Sequence, residues 1–262
     1  MMHDRQLEKK VALVTGAGRG IGRAIALGFA KEGASVAAVS RTTSELNSLT
    51  EDIKALGGTA VAFPADLTDA AMVKKLTREV VDKFGTVDIL VNNAGIGTAE
   101  SPRPVVEFED DYWNVTLALN LTAPYLLCKA VLPLFLEKRK GRIINISSLA
   151  GKIGITHGVA YTASKHGLLG LTRALATEVA SQGITVNAIC PGPVRSRMND
   201  GRIRYDAERL GLTLQELESR ITPIGRRLSP EEIVPMAVLL ASDGAAAITG
   251  QAFNICGGLV MF

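Results

Sequence analysis

The stretch from Val11 to Glu32 constrains this chain more than any other. Val11-Ala-Leu-Val-Thr15 is apolar and partly β-branched, which predicts a buried strand. It runs straight into Gly16-Ala-Gly18-Arg-Gly20-Ile-Gly22 and then into a helical pattern from Arg23 to Glu32. Glycines at a strand end permit a tight turn and close approach of backbone to a ligand. A helix starting directly behind them offers unpaired N–H groups and the positive end of its dipole. A glycine-rich loop alone is only a turn. Strand, loop and helix start together predict a cradle for a dinucleotide pyrophosphate.

The rest of the chain alternates in the same way. Strand-like runs fall at Val11–Thr15, Ser35–Val39, Ala60–Phe63, Ile89–Val91, Arg142–Ile146, Thr185–Ile189 and Ala252–Ile255, with helical patterns such as Ser44–Leu56, Ala70–Phe84 and Thr162–Ala180 between them. This predicts an α/β fold, a doubly wound parallel sheet of about seven strands flanked by helices. With 262 residues, 47% of them hydrophobic, the chain is long and apolar enough for a sheet covered on both faces. No repeat or linker interrupts it, so residues 1–262 read as one domain. Ligands in such sheets bind beyond the carboxyl ends of the strands, at the topological switch point. Asn92–Gly95, Ser148 and Pro191-Gly192 each follow a predicted strand and therefore converge on that rim.

Tyr161 and Lys165 stand four residues apart in Ala160-Tyr-Thr-Ala-Ser-Lys165. On a helix they share a face. A free phenol titrates near ~10, too high for proton transfer at neutral pH. A neighbouring ammonium favours the phenolate and is expected to lower that value. Ser148, brought from another strand, is placed to hold a substrate oxygen beside the phenol. Taken alone, Tyr-x-x-x-Lys is an ordinary helix pair; the cradle upstream is what turns it into a candidate acid–base centre.

With these motifs read, the chain resembles the short-chain dehydrogenases/reductases. Thr15-Gly16-x-x-x-Gly20-x-Gly22 matches that family's cofactor loop, Asn92-Asn-Ala-Gly95 its central-strand motif, and Asn120, Ser148, Tyr161 and Lys165 its catalytic tetrad. The resemblance covers nearly the whole chain, with the motifs in the family's order. It implies a Rossmann-type fold and hydride transfer between a nicotinamide and a carbonyl or secondary alcohol. Tyr161 would be the proton donor and Ser148 the carbonyl's partner. Lys165 would also hold the nicotinamide ribose, and Asn120 would anchor a water of a proton relay. The cofactor contacts implied are Gly16, Gly18, Arg19, Gly20, Ile21, Gly22, Ser40, Arg41, Asp66, Leu67, Asn93, Ala94, Gly95, Tyr161, Lys165, Pro191, Gly192 and Val194, with Asp66 at the adenine and Pro191-Gly192 over the nicotinamide. No metal is required. His157 and His166 flank the tetrad in sequence and read as incidental, His157 as a candidate pocket residue.

Where NAD-specific enzymes of this type place an acid on the adenosine ribose, this chain reads Val39-Ser40-Arg41. No carboxylate stands there to repel a 2′-phosphate, and Arg41 is placed to pair with one through a charge-assisted fork. Arg19, inside the glycine loop, is placed to approach the same group. The pair predicts NADP (NADPH) as cofactor, ahead of NAD.

Residues 194–227 leave the alternation and, by resemblance, form a substrate lid. Pro223-Ile-Gly-Arg226 and Thr249–Gly258 resemble 3-oxoacyl-acyl-carrier-protein reductases and polyketide ketoreductases, implying a 3-oxoacyl thioester on a carrier. Arg195, Arg197, Arg202 and Arg204 crowd the start of the lid as a candidate electropositive mouth, and Arg139 is a further candidate carrier contact. A small secondary alcohol, sugar or steroid stays open as substrate. So does a different class, a non-catalytic NADP-binding sensor, which the intact tetrad disfavours.

Net charge of +3 without a long basic run argues against nucleic acid. Cys128, Cys190 and Cys256 lack metal spacing and read as core residues of a protein in a reducing cytoplasm. Met1–Lys10 is polar, unlike a signal peptide, and no apolar run approaches the length of a membrane span. The helical stretches Leu117–Leu136 and Gly167–Val179 are apolar on more than one face, and the tail Leu259–Phe262 is apolar too. By resemblance these predict a homotetramer. A proline at position 235, inside a helical run, is expected to bend that helix.

Overall fold

A computed structural model describes residues 5–262; the first four residues of the polar N-terminal stretch lie outside the described residues. Seven strands form one sheet: β1 (Val11–Thr15), β2 (Ser35–Ser40), β3 (Thr59–Pro64), β4 (Ile89–Asn92), β5 (Gly141–Ile146), β6 (Ile184–Pro191) and β7 (Ala252–Ile255). All neighbours pair in parallel, in the order β3-β2-β1-β4-β5-β6-β7. This is the doubly wound arrangement of a Rossmann-type fold, with its switch point between β1 and β4. The apolar runs located every strand. β6 extends beyond its run because β7 keeps it paired up to Pro191↔Ile255. Pro64 ends β3, the edge strand, where a missing N–H is tolerated.

The helices are α1 (Gly20–Lys31), α2 (Thr43–Ala55), α3 (Ala70–Phe84), α4 (Asp110–Leu117), α5 (Ala123–Lys138), α6 (Val159–Val179), α7 (Arg197–Leu210), α8 (Leu214–Arg220) and α9 (Val234–Ala241). Successive strand residues point to opposite faces. Ala12 and Val14 face a core with Ile25 and Phe29 of α1, Leu49 of α2 and Ala237 of α9. Leu13 faces the other core, with Leu76 of α3, Val131 of α5 and Leu175 of α6. Pro235 does not bend a helix. The run breaks into a 3₁₀ turn, Pro230–Ile233, and then α9, which places the proline in a first turn that needs no N–H there.

One expectation about length needs correction. α4 and α5 join through a π turn, Ala118–Thr122, into a continuous helix of 29 residues whose apolar window is long enough to cross a membrane. The helical stretch expected at Leu117–Leu136 already crosses this turn; the addition is the polar start, Asp110–Thr116. Leu127, Cys128, Val131 and Phe135 bury one face of this helix in the core, while Tyr125 and Leu136 stay exposed on the other.

A single side chain stitches the switch point. The buried hydroxyl of Thr15 at the end of β1 donates to the Val91 carbonyl (3.1 Å) and accepts from the N–H groups of Asn93 (2.9 Å) and Ala94 (3.0 Å). The Asn93 side chain answers by donating to the carbonyls of Thr15 (2.9 Å) and Gly16 (3.2 Å). Gly16 has φ +63°, and a Cβ there would lie 2.9 Å from the Ala94 backbone, so only glycine fits between the two loops. Replacing Thr15 by Val keeps the shape but strips two buried N–H donors of their acceptor. This is expected to cost about 2–4 kcal/mol, read from urea unfolding; a loss below about 0.5 kcal/mol would contradict the stitch.

Candidate active site

The two loops held by Thr15 carry the two halves of the site. On the β1 side, α1 begins at Gly20 with no side-chain cap and no acid in its first turn, so its N–H groups face the glycine loop unclaimed. A Cβ at Gly22 would overlap the Gly16 carbonyl and the Asn93 amide, so loop and helix pack at backbone distance. This cradle fits a dinucleotide pyrophosphate.

On the β4 side, four candidate residues converge. A point one Cβ above Gly95 lies 3.0 Å from Asn120 Oδ1 and 3.8 Å from Lys165 Nζ. The buried Asn120 amide accepts from Ile96 N–H (2.9 Å) and donates to the Ile96 carbonyl (2.9 Å) and to Ser164 Oγ (3.1 Å). Ser164 Oγ in turn donates to the Tyr161 carbonyl (2.8 Å). The Asn120 side chain therefore braces the loop after β4 against α6. Lys165, also buried, donates from Nζ to the Ile146 carbonyl at the end of β5 (2.9 Å) and lies 5.6 Å from the Tyr161 ring centroid. Ser148 follows β5, its Oγ accepting from Ala150 N–H (3.1 Å).

The electrostatics differ from the expected lowering of Tyr161 by Lys165. Burial pushes the Tyr161 phenol above its ordinary range, and a hydrogen bond with Ser148 offsets part of that. Burial also pushes the Lys165 ammonium down, to about 8. Desolvation is the largest effect on both groups, with Lys165 buried and Tyr161 half-buried. Tyr161 is thus held protonated at neutral pH.

At the adenosine end the structure corrects the sequence reading. A carboxylate does stand there: Glu45, in the first turn of α2. A Cβ on Gly18 would lie 2.7 Å from Glu45 Oε2 and 3.1 Å from Ser40 Oγ. Arg19, expected to approach the 2′-phosphate, pairs with Glu45 at 3.4 Å. Arg41 is exposed at the end of β2. Asp66 Oδ1 accepts from Thr68 N–H (2.9 Å) and Thr68 Oγ1 (2.8 Å); these bonds hold its carboxyl below the usual range, with a smaller effect from Arg41. Leu67 beside it is buried. Glu45 escaped the sequence reading because an acid in a first helical turn is an ordinary helix-start signal.

Across the rim, Gly192 N–H donates to the Ile255 carbonyl (2.9 Å), and a Cβ on Gly192 would lie 2.9 Å from the Cys256 backbone. Leu228 closes the stems of the 194–227 segment, donating to Pro193 O (2.9 Å) and accepting from Arg195 N–H (2.8 Å). Between the stems, α7 and α8 form a small core of Ile203, Ala207 and Leu217. Of the four arginines expected to form a mouth, Arg202 is not free. It grips Asp206 (2.7 and 3.0 Å) and donates to the Thr156 carbonyl (2.8 Å) and Thr98 Oγ1 (3.3 Å). Beside it Tyr205 meets His157 Nδ1, so His157 helps hold α7 against the loop before α6. Arg195, Arg197 and Arg204 remain exposed. Arg139 lies just before β5, at the opposite edge of the sheet, bonded to Gln182 (3.0 Å) and the Ser181 carbonyl (3.0 Å). It is no part of the rim. His166 points outward, bonded to the Thr162 carbonyl (3.0 Å).

Comparison with known proteins agrees with this geometry. The short chain dehydrogenase family matches residues 10–205. The chain is 41% identical over 258 residues to the 3-oxoacyl-acyl-carrier-protein reductase of Synechocystis, covering 98% of this chain and 99% of that protein. It is 40% identical over 254 residues to the enzyme of the same name from Escherichia coli, covering 97% and 98%. Among solved structures, a tryptophan variant of the actinorhodin polyketide ketoreductase with NADPH superposes with a TM-score of 0.90 at 39% identity, covering 97% and 98%. The chain belongs to the short-chain dehydrogenase family, and is an oxidoreductase that uses NAD(P).

The pH dependence follows from the two buried groups. Lys165 is charged below about 8 and loses its proton above it, more easily than the 10.5 of a free lysine. A Tyr161 that donates a proton beside a cationic Lys165 would need the first protonated and the second charged. The expected kcat/KM profile is therefore level on the neutral side and falls as pH rises through about 8. A profile flat to pH 10 would contradict this pairing of protonation states.

Proposed function

We propose that this protein reduces the ketone of a 3-oxoacyl thioester with NADPH, giving the 3-hydroxyacyl thioester. The observation that carries the reading is Tyr161 beside Ser148, with Lys165 Nζ 5.6 Å from its ring and tied to the Ile146 carbonyl, next to the glycine-loop cradle. The thioester is supported by 40–41% identity over nearly the full chain to two 3-oxoacyl-acyl-carrier-protein reductases.

In this mechanism the α1 N-terminus and Gly16–Gly22 would hold the pyrophosphate, Asp66 and Leu67 the adenine, and Arg41 the 2′-phosphate. Asn93–Gly95 and Pro191–Val194 would wall the nicotinamide end. When bound, NADPH supplies the hydride that the carbonyl carbon accepts. Ser148 donates a hydrogen bond to the carbonyl oxygen, which gathers charge as the C=O π bond breaks. Tyr161 gives its proton to that oxygen, completing the alcohol. Lys165 stabilises the phenolate left behind, and Asn120 keeps α6 in register with the β4 loop. The chain acts as a single domain in which 194–227 forms the substrate lid. Arg195, Arg197 and Arg204 on that lid steer an anionic acyl carrier toward the rim. The exposed Tyr125, Leu136, Met261 and Phe262 fit burial in a homotetramer, and three free buried cysteines fit a reducing cytoplasm.

Tyr161→Phe tests the chemistry. It removes the proton donor and keeps the ring. Turnover should drop by about 10²–10⁴ or more, the usual worth of a positioned acid, while the NADPH Kd stays within about threefold of the parent. Near-normal turnover would exclude Tyr161 as the acid.

A further inference from the structure

We infer that Glu45 and Arg19 form a two-position switch that sets how strongly this protein discriminates dinucleotides with a 2′-phosphate from those without one. The inference rests on the cofactor reading above and adds a residue to it. Glu45 is not at the end of β2, where an acid that reads the ribose stands in NAD enzymes. It reaches the same place from α2. Its Oε2 and the Ser40 hydroxyl lie 2.7 and 3.1 Å from one point above Gly18, so a carboxylate and a hydroxyl border the glycine loop at the end of β2.

The placement of Glu45 is held from both sides. Arg23 of α1 donates to the Glu45 carbonyl (3.5 Å) and to Ser48 Oγ (3.3 Å), and pairs with Asp52 further along α2. This docks the first turns of α2 onto α1 and fixes the Glu45 backbone against the cradle. The Glu45–Arg19 ion pair itself is loose. It is monodentate at 3.4 Å, and the Arg19 side chain is 58% exposed against 26% for Glu45. A pair of this kind holds its partners weakly. The pair is therefore easily exchanged.

Two states follow from charge. With a bare ribose, the sugar hydroxyls donate to the Glu45 carboxylate and Arg19 stays paired with it. A 2′-phosphate brings up to two negative charges to the same place. The Glu45 carboxylate must turn away, and Arg19 is released to join Arg41 on the phosphate. Glu45 thereby lowers the advantage that Arg19 and Arg41 give to NADPH and leaves NADH usable. It works as an element set against the preferred ligand.

The test is binding, not turnover. Dissociation constants for NADPH, NADH, 2′,5′-ADP and 5′-AMP are measured by calorimetry for the parent, Glu45→Gln, Arg19→Ala and the double variant. Removing one negative charge beside the phosphate should raise affinity for NADPH and 2′,5′-ADP by about tenfold. NADH and 5′-AMP should change by less than about threefold, since the amide still accepts from the ribose. Arg19→Ala should weaken NADPH binding several-fold more in the Glu45→Gln background than in the parent, because only there is Arg19 wholly available. Equal changes for phosphorylated and unphosphorylated ligands, or additive effects of the two substitutions, would overturn the switch. The parent's own NADPH-to-NADH ratio judges the cofactor assignment separately: a parent that favours NADH overturns that assignment, while the change in ratio on Glu45→Gln still decides the switch.

Discussion

The Thr15 hydroxyl joins two loops that lie 78 residues apart in the chain, accepting from the Asn93 and Ala94 N–H groups where β1 and β4 run side by side. Strands adjacent in the sheet but distant in sequence diverge into loops on opposite faces, which is what opens a crevice at a switch point. The crevice is useful only if its two lips are held at a fixed spacing. Thr15 and Asn93 do this with four hydrogen bonds between side chains and backbone. The glycine-loop cradle stands on the β1 lip, and Gly95 on the β4 lip lies against Asn120 and Lys165.

Burial sets the chemistry of the second lip. In water, an ammonium beside a phenol would lower the phenol's pKa. Beneath the rim, desolvation acts on both groups and moves them toward their neutral forms. Tyr161 keeps its proton and Lys165 comes within reach of losing its own. A phenol poised to give a proton suits reduction of a carbonyl.

Much of this was legible in the sequence, for identifiable reasons. Buried parallel strands are continuous apolar runs, so all seven were found, and β1 and β7 agree to the residue. Motifs made of neighbours in sequence, such as the glycine loop and Tyr161-x-x-x-Lys165, translate directly into geometry. Contacts between distant elements did not show. Glu45 draws no notice in the sequence, because only the docking of α2 on α1 through Arg23 brings it over Gly18. Arg202 looked like a free charge among arginines, because its partners Asp206, Thr98 and Thr156 come from a neighbouring helical turn and two other loops. Arg139 looked like a surface cation available to a carrier, yet it lies before β5, on the wrong edge of the sheet. The stretch Leu117–Leu136 reads as helical straight across the π turn, but the polar start of the same helix, Asp110–Thr116, has no apolar pattern to announce it.

The crevice between β1 and β4 is proposed as a reductase site for a 3-oxoacyl thioester. The most direct measurement is NADPH consumption by the purified protein across matched carbonyls. The panel is a 3-oxoacyl group on acyl carrier protein, the same group on coenzyme A, a small neutral ketone and a keto sugar. A 3-oxoacyl reductase shows the highest kcat/KM for the two thioesters, with the 3-hydroxyacyl product recovered in step with NADPH consumed. A kcat/KM for the neutral ketone or the keto sugar above that of both thioesters would contradict the proposal.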